Sequence, residues 1–185
     1  MPPANITQYL ASDEKLLWSG TPRQGLVLRG SDAFQIPFSV LWGGFAIFWE
    51  WTAITNSGPA FFSLFGIPFV CAGLYLIAGR FFFDAWRRAR TEYGITSERI
   101  IIATRTFGAS VKSLDARTLF GVTCDAKADG SGTITFGPTT FATSMYAGTP
   151  WPGVKLPPAF EMIPDASRVY EIVRNMQKGD KALRP

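Results

Sequence analysis

Two long apolar segments dominate the pattern of hydrophobic and polar positions along the chain. The first runs from Phe34 to Ile54 and the second from Ala60 to Gly79, with only TNSGP, residues 55–59, between them. A helix needs roughly 20 apolar residues to cross a hydrocarbon core of about 30 Å, and buried helices of soluble proteins usually show shorter apolar runs. Both segments reach the membrane length and are apolar around their whole circumference. The pattern therefore predicts a transmembrane hairpin over residues 34–83, with helices at about 34–54 and 60–80.

Charges beside the hairpin indicate its orientation. The connecting loop carries no charge, whereas arginines flank the other ends of both helices: Arg23, Arg29, Arg80, Arg87, Arg88 and Arg90. Lys and Arg near helix ends mark the cytoplasmic side of a membrane. Residues 1–33 are polar and show no cleavable signal peptide. We therefore predict a two-pass protein of the plasma membrane, with a cytoplasmic segment over residues 1–33 and both termini in the cytoplasm.

Aromatic residues lie where the predicted helices meet the headgroup region. Trp49 and Trp51 are at the outer end of the first helix, and Trp86 lies just beyond the inner end of the second. Glu50, between the two tryptophans, is the only charged residue in either apolar segment. We interpret these four residues as membrane-interface residues. Two other roles of Glu50 stay open, namely a proton or ion site in a transport or channel assembly, and a polar contact with another helix.

The arginines that follow the second helix are candidates for contact with anionic lipid or with a protein partner. Arg80 and Asp84 are four residues apart, a spacing that favours continuation of the helix beyond the bilayer. That continuation brings Arg87, Arg88 and Arg90 to the inner leaflet, where basic residues are attracted to anionic headgroups. The alternative is that these arginines set the topology and recognise no specific lipid.

A different pattern follows, over residues 84–178, with short strands and then one helix. Segments rich in β-branched and aromatic residues predict strands at 92–96, 99–104, 109–114, 119–126, 133–136 and 160–163. Residues 139–158 read as a long loop, in which a strand near Phe141 stays open. Asp165 begins a helical pattern whose apolar face is Val169, Tyr170, Ile172, Val173 and Met176. These elements predict a small antiparallel sandwich or barrel closed by a C-terminal helix, with a flexible tail at 179–185.

The composition excludes several kinds of chemistry. The chain has no histidine, which excludes Ser-His-Asp and Cys-His catalysis and imidazole-based metal sites. The net charge of +4 is concentrated beside the predicted membrane helices, so we expect no nucleic-acid binding. Cys71 and Cys124 lie in different parts of the chain, and no disulfide is expected. We predict no catalytic, cofactor-binding or metal-binding residues; the weaker alternative is an enzyme that uses Cys124, Asp125 or Asp129.

Three stretches resemble one known family. Residues 14–22, EKLLWSGTP, resemble an E-x-h-h-W-x-G-x-P opening that precedes a two-helix hairpin, where h is a hydrophobic residue. Residues 93–102, YGITSERIII, resemble a Y-x-h-T-N-x-R-h-h hairpin, with Ser97 where asparagine is common. The strand at 160–163 and the helix after it follow in the same order. The chain is therefore similar, over nearly its whole length, to the bacterial pleckstrin-homology-like (PH-like) membrane proteins, a family once described as a domain of unknown function.

The resemblance implies a membrane helical hairpin followed by a mainly-β PH-like barrel that a C-terminal α-helix caps. It also implies a bacterial inner-membrane location and an interaction module that meets a protein partner or anionic lipid, without a cofactor and without enzymatic activity. Homo-oligomers are compatible with it. Arg99, in the second motif, is either a headgroup contact or the partner of a nearby acid such as Glu92 or Asp115, or of backbone carbonyls. Inositide recognition does not follow from such a fold alone.

Overall fold

The computed structural model describes residues 5–56, 60–116, 118–140 and 156–181. Its helical part begins with α1, Asp32–Thr55, and continues with α2, Ala60–Leu74. A π-helical turn, Tyr75–Gly79, connects α2 to α3, Arg80–Arg88, without a break. The helix thus continues well beyond the apolar segment, as predicted.

Helices α1 and α2 pack on each other through small residues. On α1 the buried positions include Ser39, Gly43 and Ala46. A Cβ atom on Gly73 of α2 would lie 2.9 Å from the Cα atom of Gly43, which shows how closely the two backbones approach. Small residues permit this approach between helices in lipid. The spacing of Ser39 and Gly43 in the sequence is a sign that the hairpin packs on itself, and the structure has that packing.

The large apolar side chains of the two helices point away from this contact. On α1, Leu41, Phe45 and Phe48 are 76%, 64% and 65% exposed, and on α2 Phe61 and Leu64 are 69% and 70% exposed. Soluble proteins bury most residues of this kind, and they rarely expose so many large apolar side chains on one element. The distribution here is the reverse.

One helix within the described residues is long and apolar enough to cross a membrane. It comprises Leu64–Arg88, 25 residues with a mean hydropathy of 1.7, and 17% of its most apolar part is buried. Length and composition alone are weak evidence for a span. The predicted second span, in α1, stays a prediction; Gln35, Glu50 and three tryptophans lower the hydropathy of that helix.

Seven strands form two antiparallel sheets within the described part of the chain. The first sheet has the order β1-β2-β3-β4 and the second the order β5-β6-β7. The strands are β1 Leu16–Gly20, β2 Thr91–Thr96, β3 Arg99–Arg105, β4 Ala109–Asp115, β5 Val122–Ala126, β6 Gly132–Phe136 and β7 Ala159–Ile163. The C-terminal helix α4 comprises Ala166–Lys181, and a short 3-10 helix, Ile6–Tyr9, precedes β1. Two sheets and a terminal helix are consistent with the expected PH-like sandwich.

The main core lies between the two sheets and α4. Ile95 and Ile100 of the first sheet, Phe160 of the second, and Val169 and Val173 of α4 are all fully buried. The apolar face predicted for α4 is thus the face that the core covers. Burial of these side chains holds the helix across the sheets.

Strand β1 is the element that the sequence did not predict. It pairs with β2 in antiparallel register, with Trp18 opposite Ile95, so residues before the hairpin complete the first sheet. The Trp18 ring covers Gly20, where a Cβ atom would lie 2.5 Å from the ring, and packs on Phe160 at 5.5 Å between centroids. The W-x-G spacing therefore has a steric reason. The possible strand near Phe141, and residues 182–185 of the tail predicted at 179–185, lie outside the described residues. Residues 179–181 of that tail belong to α4.

Candidate functional site at the helix–sheet junction

Five charged side chains connect the end of the long helix to the sheets, and we call them the junction cluster. They are Arg29, Asp84, Arg87, Arg88 and Glu161. Asp84 of α3 accepts from Arg29 at 3.0 Å, Arg87 at 3.1 Å and Arg88 at 2.9 Å. Glu161 of β7 accepts from Arg29 at 2.7 Å and Arg87 at 3.0 Å. Three cations and two anions therefore share one site between α3, β7 and the segment before α1.

The centre of the junction cluster is buried. The side chains of Asp84 and Arg88 are 5% and 2% exposed. Arg88 also donates to the backbone carbonyl oxygens of Arg23 and Gly25, the second at 2.7 Å. Buried ions are tolerated only where partners compensate the loss of hydration. These contacts fix the chain before α1 to the last turn of α3.

Tyr93 of β2 extends the junction to the core. Its phenolic oxygen accepts a hydrogen bond from the backbone N–H of Glu161 at 3.1 Å, and its ring stacks on Phe160 at 4.6 Å between centroids. Burial raises the pKa of Tyr93 above its ordinary value, and the nearby Glu161 carboxylate adds to that effect. The side chain therefore stays neutral and connects β2 of the first sheet to β7 of the second.

A second ion pair lies where the start of α1 meets the start of α3. Arg80 donates to Asp32 at 2.8 Å, to Gln35 of α1, and to the carbonyl oxygen of Leu76 at 3.0 Å. Its guanidinium lies 4.3 Å from the centroid of the Phe81 ring. Arg80 is 5% exposed, so its charge connects α1 to α3 and is not presented to solvent.

The two sequence motifs meet in a third ion pair. Arg99 donates to both oxygens of Glu14 at 2.9 Å, and Thr96 donates to Glu14 at 2.6 Å. The Glu at the start of one motif is therefore the partner of the Arg and Thr of the other. The sequence suggested a nearby acid such as Glu92 or Asp115, or backbone carbonyls, as the partner of Arg99. The structure has both kinds of partner: the acid is Glu14, and the carbonyl oxygen of Tyr9 accepts from Arg99 at 3.1 Å. Glu14 was missed because β1, which places it beside the end of β2, was not predicted.

The Glu14 pair predicts an acid-dependent loss of stability. Hydrogen bonds from Arg99 lower the pKa of Glu14 from 4.5 to about 2; burial opposes the change and Thr96 supports it. A carboxyl whose pKa is lower in the folded state stabilises the fold above its unfolded pKa, and that contribution disappears as the pH falls to the folded pKa. We expect the thermal midpoint of the full chain in detergent to fall between pH 4.5 and about 2, and Glu14→Gln to remove part of that fall. Glu171→Gln, on the exposed face of α4, is the control and should leave the pH profile unchanged.

The arginines that were predicted to contact lipid or a partner lie in several environments. Arg80, Arg87 and Arg88 are held in the ion pairs described above, and Arg99 pairs with Glu14. Arg90 stacks on the Trp86 ring, with its guanidinium 4.5 Å from the centroid. Their contact with lipid or a partner stays a prediction. The acids that pair with them were not identified as site residues, although the four-residue spacing of Asp84 and Arg88 is a sequence signal for such a pair.

The predicted membrane-interface residues lie at opposite ends of the hairpin. Trp51 is 68% exposed, and Trp49 and Trp86 are half-buried. One carboxylate oxygen of Glu50 is buried and has no hydrogen-bond partner among the described residues. It lies over Gly66 of α2, where a Cβ atom would approach it to 1.7 Å. Glu50 thus faces the helix contact.

Two of the candidate catalytic groups, Cys124 and Asp129, have described surroundings at the β5–β6 hairpin. Burial raises the pKa of the Cys124 thiol, and the Asp125 charge adds to the shift, so the reactive thiolate is disfavoured. Asp129 accepts hydrogen bonds from the backbone N–H and hydroxyl of Ser131 at 3.0 and 2.6 Å and caps its own turn. Among the described residues, no group of three or more Cys, Asp or Glu side chains is placed to hold a metal ion.

A small cavity adjoins the junction cluster. It has a volume of about 120 Å³, and its lining includes Arg87, Thr91, Thr104, Lys112 and Glu161. The hydroxyl groups of Thr91 and Thr104 lie 3.1 Å apart within it. Mixed charges and hydroxyl groups suit a polar occupant of few atoms, such as water.

Comparisons with known proteins are sparse. No protein-family model matches the chain, and no curated protein matches it. Among solved structures, it is similar to a DUF1696 family protein with a pleckstrin-homology domain from Shewanella loihica PV-4, with a TM-score of 0.34 and 16% identity. The match covers 49% of this chain and 74% of the other. At this TM-score the similarity does not establish a shared fold.

Proposed function

We propose that the protein is a membrane-anchored PH-like interaction module at the cytoplasmic face of the bacterial plasma membrane. Helices α1 and α2 cross the bilayer as a two-pass anchor, with both termini in the cytoplasm. The two sheets and α4 then present a surface to a protein partner or to anionic lipid. No catalytic step, metal or cofactor belongs to this proposal.

The exposed surface of the hairpin supports the two-pass anchor. Large apolar side chains cover its outside, and small residues form its inside, as in helix pairs packed in lipid. Phe48 at 65% and Leu64 at 70% exposure would present a large unfavourable surface to water. This distribution supports α1 as a second span even though its hydropathy is lowered by polar residues and tryptophans.

The junction cluster is the observation that carries the proposal. Only Ala89 and Arg90 separate α3 from β2. Arg87 joins α3 to Glu161 of β7 at 3.0 Å, and Arg88 joins it to the segment before α1. A flexible tether would need none of these contacts. The cluster instead holds the sheets at a fixed place against the end of the membrane helix, which suits a module that works at the inner membrane surface.

Photo-crosslinking in intact membranes tests whether the module contacts anything there. A photoreactive phenylalanine analogue is placed at Val111, on the exposed edge strand β4, and separately at Glu171, on the exposed face of α4. We expect one position to give a reproducible adduct with one protein or with anionic phospholipid, identified by mass spectrometry. If neither position yields a reproducible adduct, the interaction module is contradicted.

A transport or channel subunit is the second candidate function, and Glu50 is the observation in its favour. Its buried oxygen lies in the helix contact without a described partner, and intramembrane acids often serve ion or proton pathways. This candidate predicts that Glu50→Gln abolishes proton or cation flux through the chain reconstituted in vesicles. The interaction module predicts equal, background flux for the wild type and the variant. Trp51→Phe, at an exposed position on the same helix, is the control for insertion.

A further inference from the structure

The turn between β3 and β4 carries an exposed aromatic residue that the proposed function has not used. Phe107 is 87% exposed. Its ring nevertheless lies 5.3 Å from the Trp86 ring and 6.3 Å from the Phe83 ring, measured between centroids. We call Phe83, Trp86 and Phe107 the aromatic patch. It joins a loop of the sheet domain to the surface of α3.

The patch lies along α3 on the side of the predicted bilayer. The backbone N–H of Arg105, at the end of β3, donates to the carbonyl oxygen of Arg90 at 3.0 Å, so this strand ends beside the end of α3. Beyond that point, Phe107 contacts residues earlier in the helix. Phe83 precedes Arg90 by about two helical turns, or roughly 10 Å along the axis. The turn therefore extends from the sheet back towards α2.

Two arginines lie beside the aromatic patch. The Arg90 guanidinium lies 4.5 Å from the centroid of the Trp86 ring. Arg105, which is half-buried, flanks the same turn and donates to Gln8 at 3.2 Å. Aromatic rings beside basic side chains are typical of the headgroup layer, where the rings meet apolar chains and the cations meet anionic headgroups.

From this geometry we infer that the turn at residues 106–108 inserts Phe107 into the headgroup–acyl boundary of the leaflet from which α3 emerges. The occupant of the patch is the bilayer itself. Phe82, four residues before Trp86 on the same helix, is 64% exposed, so the exposed apolar surface of the long helix lies next to the patch. The inference rests on the proposed membrane anchor and adds a second, loop-based contact. The sheet domain is thereby held against the membrane at two points.

Quenching by brominated lipid tests the insertion on the full chain reconstituted in vesicles of phosphatidylcholine and phosphatidylglycerol. In a Cys71→Ala, Cys124→Ala background, Phe107→Cys carries an environment-sensitive fluorophore. Glu98→Cys is the matched control, because the exposed β2–β3 turn lies at the other end of β3, about 20 Å away at 3.3 Å per residue. We expect a blue-shifted emission and quenching by lipids brominated near the headgroup for position 107, and neither effect for position 98. The variant Phe107→Trp repeats the measurement without a label. We expect brominated lipid to quench more tryptophan emission in this variant than in the wild type.

A probe at Phe82→Cys separates failure of the inference from failure of the anchor. Quenching at position 82 without quenching at position 107 would overturn the insertion and leave the membrane helix intact. Absence of quenching at both positions would contradict the anchor as well. A third outcome is a probe at position 107 that brominated lipid does not quench in vesicles but that is shielded from a water-soluble quencher in native membranes. This outcome would assign the patch to a protein contact and would also overturn the inference.

Discussion

Replacement of Asp84 with asparagine should strongly destabilise the protein, because it removes an anion that three arginines share. The Asp84 side chain is 5% exposed, and that of one of its partners, Arg88, is 2% exposed. The variant leaves Glu161 as the carboxylate beside Arg29 and Arg87, and it removes the carboxylate that pairs with Arg88. Removal of one partner of a buried ion pair costs about 3–5 kcal/mol. We expect Asp84→Asn to lower the thermal midpoint of the purified full chain strongly, measured by size-exclusion chromatography after heating in mild detergent.

Asp13→Asn is the matched control for this prediction. Asp13 is exposed, so the same loss of charge and the same change of atoms should leave the midpoint within the range of ordinary surface substitutions, about 0.5 kcal/mol. Equal midpoints for Asp84→Asn and Asp13→Asn would contradict the structural role of the junction cluster.

Replacement of Gly73 with leucine should separate α1 from α2. The first added atom, Cβ, would lie 2.9 Å from the backbone Cα atom of Gly43, and a backbone atom cannot turn away as a side chain does. Overpacking of a close contact costs about 1–3 kcal/mol, and a side chain as large as leucine should reach the upper part of that range. We expect the variant to lose the helix pair at a lower mole fraction of dodecyl sulfate, followed by tryptophan emission.

Gly44→Leu makes the same chemical change where there is space. A Cβ atom on Gly44 meets nothing within 4 Å, although Gly44 is adjacent in sequence to the tightly packed Gly43. Both variants increase apolarity and helix propensity equally, so their difference reports the packing alone. If Gly44→Leu were as destabilising as Gly73→Leu, the glycine contact would not be what holds the hairpin.

The elements that depend on local patterns could be predicted from the sequence. Periodicity and residue type predict three of these features. They are the packing of the helical hairpin through small residues, the antiparallel pair formed by β2 and β3, and the apolar face of α4. Strand β1 could not be predicted in this way, because LLWSG is short and its pairing partner lies after the hairpin, more than seventy residues away. A contact at that separation leaves no periodic signal in the chain.

The junction cluster is only partly visible in the sequence. Arginines after a predicted membrane helix indicate the orientation of that helix and contact with lipid. This inference considers only the cations and leaves out the acids that pair with them. The structure supplies the anions: Asp32 for Arg80, Asp84 and Glu161 for Arg87, and Asp84 for Arg88. Glu161 is distant in sequence, so only the three-dimensional arrangement shows that much of the positive charge is already neutralised. The patch around Phe107 escaped prediction for the same reason, since its three rings come from two separate segments.

The proposed function depends above all on a sheet domain that lies on the cytoplasmic side of a two-pass anchor, and membrane topology tests this placement. Paired reporter fusions, one active only in the cytoplasm and one only outside it, are joined at Asn56, between the helices, and after Pro185. We expect outside activity at Asn56 and cytoplasmic activity at Pro185, with the full chain resistant to extraction by alkaline carbonate. Cytoplasmic activity at both positions, or outside activity at Pro185, would contradict the two-pass anchor.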